Sequence, residues 1–99
     1  MKNITAEDLL QRMDSGEQFH VVDVRENDEV AQGIIPGAIH IPLGELQNRH
    51  SELNRETSYI MVCRSGGRSA MASNILDDLG YDVTNMTGGM LAWEGEVEL

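Results

Sequence analysis

Cysteine is nearly missing from this chain: its 99 residues hold one, Cys63. A lone cysteine excludes an intramolecular disulfide and any cysteine-built zinc site, and it fits a compartment where thiols stay reduced. Basic residues are scarce as well. Seven Lys and Arg stand against seventeen Asp and Glu, a formal charge of −10. A phosphate backbone would be repelled, which excludes a generic nucleic-acid binder. The three histidines, His20, His40 and His50, show no i, i+3 or i, i+4 spacing, so no metal site is expected, and no cofactor. No apolar run approaches the ~18 residues of a membrane span, and the acidic opening Met1–Asp8 has no signal-peptide core. The expectation is a cytoplasmic monomer with neither membrane nor nucleic acid as partner.

What is present is ordinary for a globular protein: 40% apolar and 24% charged residues, with no repeat, linker or low-complexity stretch. The chain is expected to form a single domain over 1–99. Thr5-x-x-Asp8 before Leu9-Leu10 predicts a capped helix to about Met13. Phe19–Val24 reads as a strand, and Asn27 or Asp28 as the cap of a short helix stopped by Gly33. Pro36-Gly37 marks a turn before a short strand at Ala38–Ile41, and Pro42–Leu53 is loosely helical. Tyr59–Cys63 is a compact apolar run suited to a buried parallel strand. A helix follows from Arg68 or Ser69, with Ala72, Ile75, Leu76 and Leu79 on one face and Gly80 as its stop. Asp82–Thr84 is a last strand, and Met90–Trp93 a final helical turn. Strands alternating with helices imply an α/β fold with a parallel sheet and helices on both faces. Ligands of such sheets bind beyond the C-terminal strand ends, where the pattern puts Cys63.

Two of the seven cations, Arg64 and Arg68, lie within five residues of that cysteine. A free thiol has a pKa of about 8.5, while the nucleophile is the thiolate. Lowering the pKa by about 1.5–2 units takes roughly 2–3 kcal/mol. The start of the next helix supplies around 0.3–1 kcal/mol, and an adjacent arginine a shift of ~1–3 units, so no histidine base is required. Gly66 and Gly67 allow consecutive N–H groups to turn inward as a nest for an anion over Cys63. The bland reading, a strand-to-helix turn around a small buried cysteine, explains Cys63 alone. It does not explain two arginines and two glycines in the five residues that follow.

The segment Cys63-Arg64-Ser65-Gly66-Gly67-Arg68-Ser69 resembles the active-site loop of the rhodanese family. Three further segments agree in order and spacing: Val22-Asp23-Val24-Arg25, Ile35-Pro36-Gly37-Ala38-Ile39-His40-Ile41-Pro42, and Gly88-Gly89-Met90-Leu91-Ala92-Trp93. The resemblance spans essentially the whole chain. It implies a rhodanese-like three-layer α/β/α fold with an open five-stranded parallel sheet. It also implies a thiosulfate sulfurtransferase: the Cys63 thiolate takes a sulfane sulfur from a small anionic donor or a persulfide-carrying protein and passes it to a thiol, cyanide or protein acceptor. By position, Cys63 is the nucleophile and Arg64, Ser65, Gly66, Gly67 and Arg68 hold the sulfur, with Arg68 orienting the loop or meeting the anion. Asp23, Arg25 and Ser69 are supporting residues. One departure is visible: Ile34 follows Gly33 where many members carry histidine.

Of the other residues, Asp23 and Arg25 are read as an ion pair pinning a loop, and His40 as a packing residue. Trp93, Met61, Met71, Met86 and Met90 are assigned to core or gap filling, and the acidic tail Glu94–Leu99 to a solvated end. One rival function is a cysteine phosphatase or arsenate reductase. Its loop places five residues between Cys and Arg, against four here, and a tighter ring suits a single sulfur better than a tetrahedral oxyanion. The other rival is a non-catalytic binding module or protein-to-protein persulfide relay.

Overall fold

The computed structural model describes all residues from Met1 to Leu99, built on one five-stranded, all-parallel sheet. In chain order the elements are β1 (Lys2–Thr5), α1 (Ala6–Asp14), β2 (His20–Asp23), α2 (Asn27–Val30), β3 (Ile39–His40), α3 (Leu46–Arg49), β4 (Ser58–Val62), α4 (Gly67–Asp78) and β5 (Asp82–Thr87). Short 3₁₀ turns at Leu43–Glu45, His50–Glu52 and Gly89–Ala92 complete the chain. The spatial order β1-β5-β4-β2-β3 puts β4 at the centre. The patterning located four of the strands. The fifth, β1, lies where the sequence shows only the approach to a helix, because Ile4 is its one buried residue. Thr5 ends β1 and caps α1, accepting the Asp8 N–H at 3.0 Å.

Successive strand side chains face opposite sides of a sheet, and β4 divides the interior accordingly. Tyr59, Met61 and, just past the strand, Cys63 face one core with Val22, Leu46, Ala72, Leu76 and Val83. Ile60 and Val62 face a second core with Leu9, Val21, Ile35 and Met86, flanked by Trp93. Both faces of β4 are covered, which accounts for its unbroken apolar run.

The buried face of α4 is Ser69, Ala72, Ser73 and Leu76. The expected stripe is therefore rotated: Leu79 is exposed, and two serines take inward positions. Ser73 spends its hydroxyl on the Ser69 carbonyl at 2.7 Å, so neither is an orphan in the core. Met71 is exposed rather than core-filling. The start of α2 also differs from expectation. Glu26 precedes the helix, and its N–H donates to the Glu29 carboxylate at 3.0 Å.

The acidic tail is solvent-exposed, as expected, but it is also strapped to the body of the fold. Ile34 and Glu98 exchange backbone hydrogen bonds of 3.0 and 2.8 Å in an antiparallel bridge, and the Glu98 carboxylate accepts the Gly37 N–H at 3.2 Å. Val97 presses so closely on Gly33 that a Cβ there would meet it at 2.9 Å. The backbone of Ile34, the residue that departs from the family pattern, is thus held by the tail. No helix is long and apolar enough to cross a membrane.

Candidate active site

Cys63 follows the last residue of the central strand, and the chain then turns sharply into α4. The turn depends on Gly66, whose φ of +107° is strained for any side-chain-bearing residue. Gly67 is the first residue of α4 and has no such requirement, so one of the two glycines carries the conformation. In this turn the Gly66 N–H donates to Cys63 Sγ at 3.0 Å, and the Ser69 hydroxyl lies 3.3 Å from the same sulfur.

The C-terminal glycine motif holds the loop from behind. Met90 N–H donates to the Cys63 carbonyl at 2.9 Å, and Leu91 N–H to the Arg64 carbonyl at 3.0 Å. This docking needs Gly89 bare: a Cβ would lie 2.4 Å from the Arg64 oxygen. Sequence similarity flags Gly88-Gly89-Met90-Leu91 as a motif; the contact gives its reason, since two backbones meet there with no room for a side chain.

Burial pushes the Cys63 thiol up, but the Ser69 hydroxyl and the amides of Ser69, Gly66 and Ser65 outweigh it, and the net shift is downward. Hydrogen bonds lead that shift; Arg68 acts on Cys63 only through its charge, with no hydrogen bond to the sulfur. Arg68 is spent on Glu29, with Nη1 and Nη2 donating to its two carboxylate oxygens at 2.6 and 2.8 Å. That pairing holds the Glu29 carboxyl at about 2, mainly through the Arg68 hydrogen bonds, and raises the Arg68 guanidinium. Arg68 therefore orients the loop by tying it to α2, and does not wait free for an anion. Arg64 is different. It is exposed and has neither a hydrogen-bond nor a carboxylate partner, whereas every other cation has one or both.

Asp23 and Arg25 form the expected ion pair, buried and two-pronged, with Nη2 donating to Oδ2 at 2.8 Å. The same Nη2 donates to the Gly33 carbonyl at 2.8 Å. The pair thus pins the segment after α2 and not the cysteine loop itself. His40, partly buried, bonds through Nε2 to the Arg25 carbonyl at 2.7 Å. Two residues of the site carried no signal that singled them out. Glu29 looks like one more surface acid, and Asn85 like one polar residue in a strand. Yet Asn85 is buried, and its Oδ1 accepts the Ser69 hydroxyl at 2.5 Å.

The thiol does not stand open in the crevice beyond the strands, as its position had suggested. Cys63 is fully enclosed, while Arg64, Ser65 and Gly67 directly above it are exposed. The Gly66 N–H lies against the sulfur at 3.0 Å, so this exposed loop forms part of the cover. A shallow cavity of about 270 Å³ opens beside it, lined by Arg25, Glu29, Gly33, Arg64, Leu91 and Val97 among others. No group of His, Cys, Asp and Glu is placed to hold a metal ion.

The model of the rhodanese-like domain matches residues 5–96. The chain is 39% identical over 98 residues to YtwF of Bacillus subtilis, covering 99% of this chain and 95% of that protein. It is 38% identical over 94 residues to a sulfurtransferase of Allochromatium vinosum, covering 94% and 88%. Among solved structures, a rhodanese-like domain protein from Staphylococcus aureus superposes with a TM-score of 0.93 at 36% identity, covering 100% of this chain and 98% of that one.

Proposed function

The chain belongs to the rhodanese-like domain family and is related to sulfurtransferases; from that premise we propose that Cys63 carries a sulfane sulfur as a persulfide between a donor and an acceptor. The observation that carries the reading is the convergence on Cys63 Sγ of the Gly66 amide and the Ser69 hydroxyl, at the C-terminal end of the central strand. Donors aimed at one sulfur favour its ionised form, and the ionised form is the nucleophile.

With thiosulfate as donor, the thiolate attacks the outer sulfur. The new S–S bond forms as the old one breaks, and its electron pair leaves with sulfite. The Cys63 persulfide then meets a thiol, cyanide or a protein acceptor, which takes the terminal sulfur and returns the thiolate. Arg64 supplies the unspent positive charge that draws an anionic donor in an otherwise acidic molecule. The part of the cover formed by Arg64–Gly67 is what must shift to admit it.

The enclosed thiol and the shallow cavity beside it also support a second reading, in which the donor or acceptor is another protein whose thiol reaches Cys63 directly. Intact mass after incubation with thiosulfate tests the first. The expected result is a gain of one sulfur, about 32 Da, absent in Cys63→Ser. An unmodified wild type would overturn it. Persulfide formed from a protein donor but not from thiosulfate would select the relay.

A further inference from the structure

Asn85 is a buried polar residue in β5, its backbone in register with Met61 of the central strand. It faces the same core as Val83 and Cys63. Its Nδ2 donates to the Gly66 carbonyl at 3.3 Å, which turns Oδ1 toward the Ser69 hydroxyl at 2.5 Å. The reverse amide orientation would set two carbonyl oxygens against each other. Ser69 Oγ has three acceptors in reach: Asn85 Oδ1, the Gly66 carbonyl at 3.2 Å and Cys63 Sγ at 3.3 Å. A hydroxyl has one proton to give.

We propose that Asn85 is a positioning residue that competes with Cys63 for the Ser69 proton, so that the Ser69 hydroxyl points to Asn85 while the sulfur is uncharged and turns to Cys63 when the sulfur carries charge. In the thiol state the order is S–H to Ser69 Oγ, and Ser69 O–H to Asn85 Oδ1. When the thiol ionises, the Ser69 hydroxyl rotates to the thiolate, since hydrogen bonds to an ionised partner are the stronger ones. Asn85 Oδ1 loses its donor, and that loss sets how far the thiol pKa falls. The catalytic part rests on the persulfide reading above. When an acceptor removes the outer sulfur, the S–S bond breaks and its electron pair collects on Cys63 Sγ. The Ser69 hydroxyl swings back to meet it, its O–H bond intact, and returns to Asn85 once the sulfur is again uncharged.

The test uses Cys63 as its own reporter, since no other thiol is present. The pH dependence of its alkylation by iodoacetamide gives the pKa in wild type, Asn85→Leu, Ser69→Ala and the double variant. Asn85→Leu removes the competing acceptor at similar volume and lowers the pKa by about one unit. Ser69→Ala raises it, and in the Ser69→Ala background Asn85→Leu changes nothing. An unchanged pKa in Asn85→Leu, or the same shift with and without Ser69, overturns the proposal. The infrared S–H stretch of the wild type at a pH below its midpoint decides the matter without any variant. A band lowered in frequency by donation supports the chain of hydrogen bonds, and a free-thiol band overturns it. None of these readouts requires sulfur transfer. A protein that shows the coupling but takes no sulfur refutes the proposed function alone.

Discussion

Arg68 and Glu29 are locked side by side, the two terminal guanidinium nitrogens each on one carboxylate oxygen, across 39 positions of sequence. The pair joins the end of the cysteine loop to α2. It also engages with a carboxylate a charge that the composition seemed to leave free for an anion.

Glu29→Gln is expected to cost roughly 0.5–1 kcal/mol, as suits a partly exposed pair, and to lower the Cys63 pKa by releasing Arg68. The stability difference has a pH signature. Glu29 sits at about 2, below its ordinary 4.5, so its contribution is complete above about 4.5. It is lost as the pH falls toward 2, because the folded state must then give up a carboxylate that it favours. Urea melts of wild type and variant at several pH values measure this. A difference that grows on acidification would contradict the assignment.

Gly89→Ala is expected to dislodge the cysteine loop. The added methyl would meet the Arg64 carbonyl at 2.4 Å, at a residue whose φ is +57°. A loss of about 2–4 kcal/mol is expected, with the Cys63 pKa returning toward that of a free thiol. Thermal melting and the pH profile of alkylation check the two effects separately.

Asp23→Asn leaves the Arg25 guanidinium buried without its counter-charge. Breaking such a pair costs roughly 3–5 kcal/mol. Replacing both partners, Asp23→Leu with Arg25→Met, is expected to cost less than either single change. Urea midpoints at constant slope give the comparison.

Arg64→Ala removes an exposed cation that makes no bond in the protein, so stability is expected to hold within about 0.5 kcal/mol. The KM for an anionic donor is expected to rise about threefold, with kcat unchanged. The gap between variant and wild type should close as salt is added. Steady-state kinetics with thiosulfate and cyanide at two ionic strengths provide the check.

The strands were legible where burial on both faces left an uninterrupted apolar run, as in Tyr59–Cys63, and the helices where caps or glycine stops bounded them. β1 was hidden because an edge strand with one inward residue has no periodicity to detect. The rotated face of α4 was hidden because Ser69 and Ser73 are polar by type and buried by their hydrogen bonds. Within the site, the cysteine and its glycine turn could be read because they are local. Glu29 and Asn85 could not. Each meets the loop only through the fold, and nothing in their sequence surroundings separates them from other acids and amides. The enclosure of Cys63 was missed for a related reason. Position at a strand end locates a side chain along the sheet but says nothing of the backbone that folds back over it.

That covering turn makes the protein a kinetic filter as well as a chemical cradle. A thiol with a lowered pKa would ordinarily be prey to peroxides and stray electrophiles in proportion to its thiolate content. Here a reagent also needs the turn to open, so the rate of damage scales with the thiolate content multiplied by the fraction of time the turn stands open. Bulky reagents must wait for wider excursions than small ones.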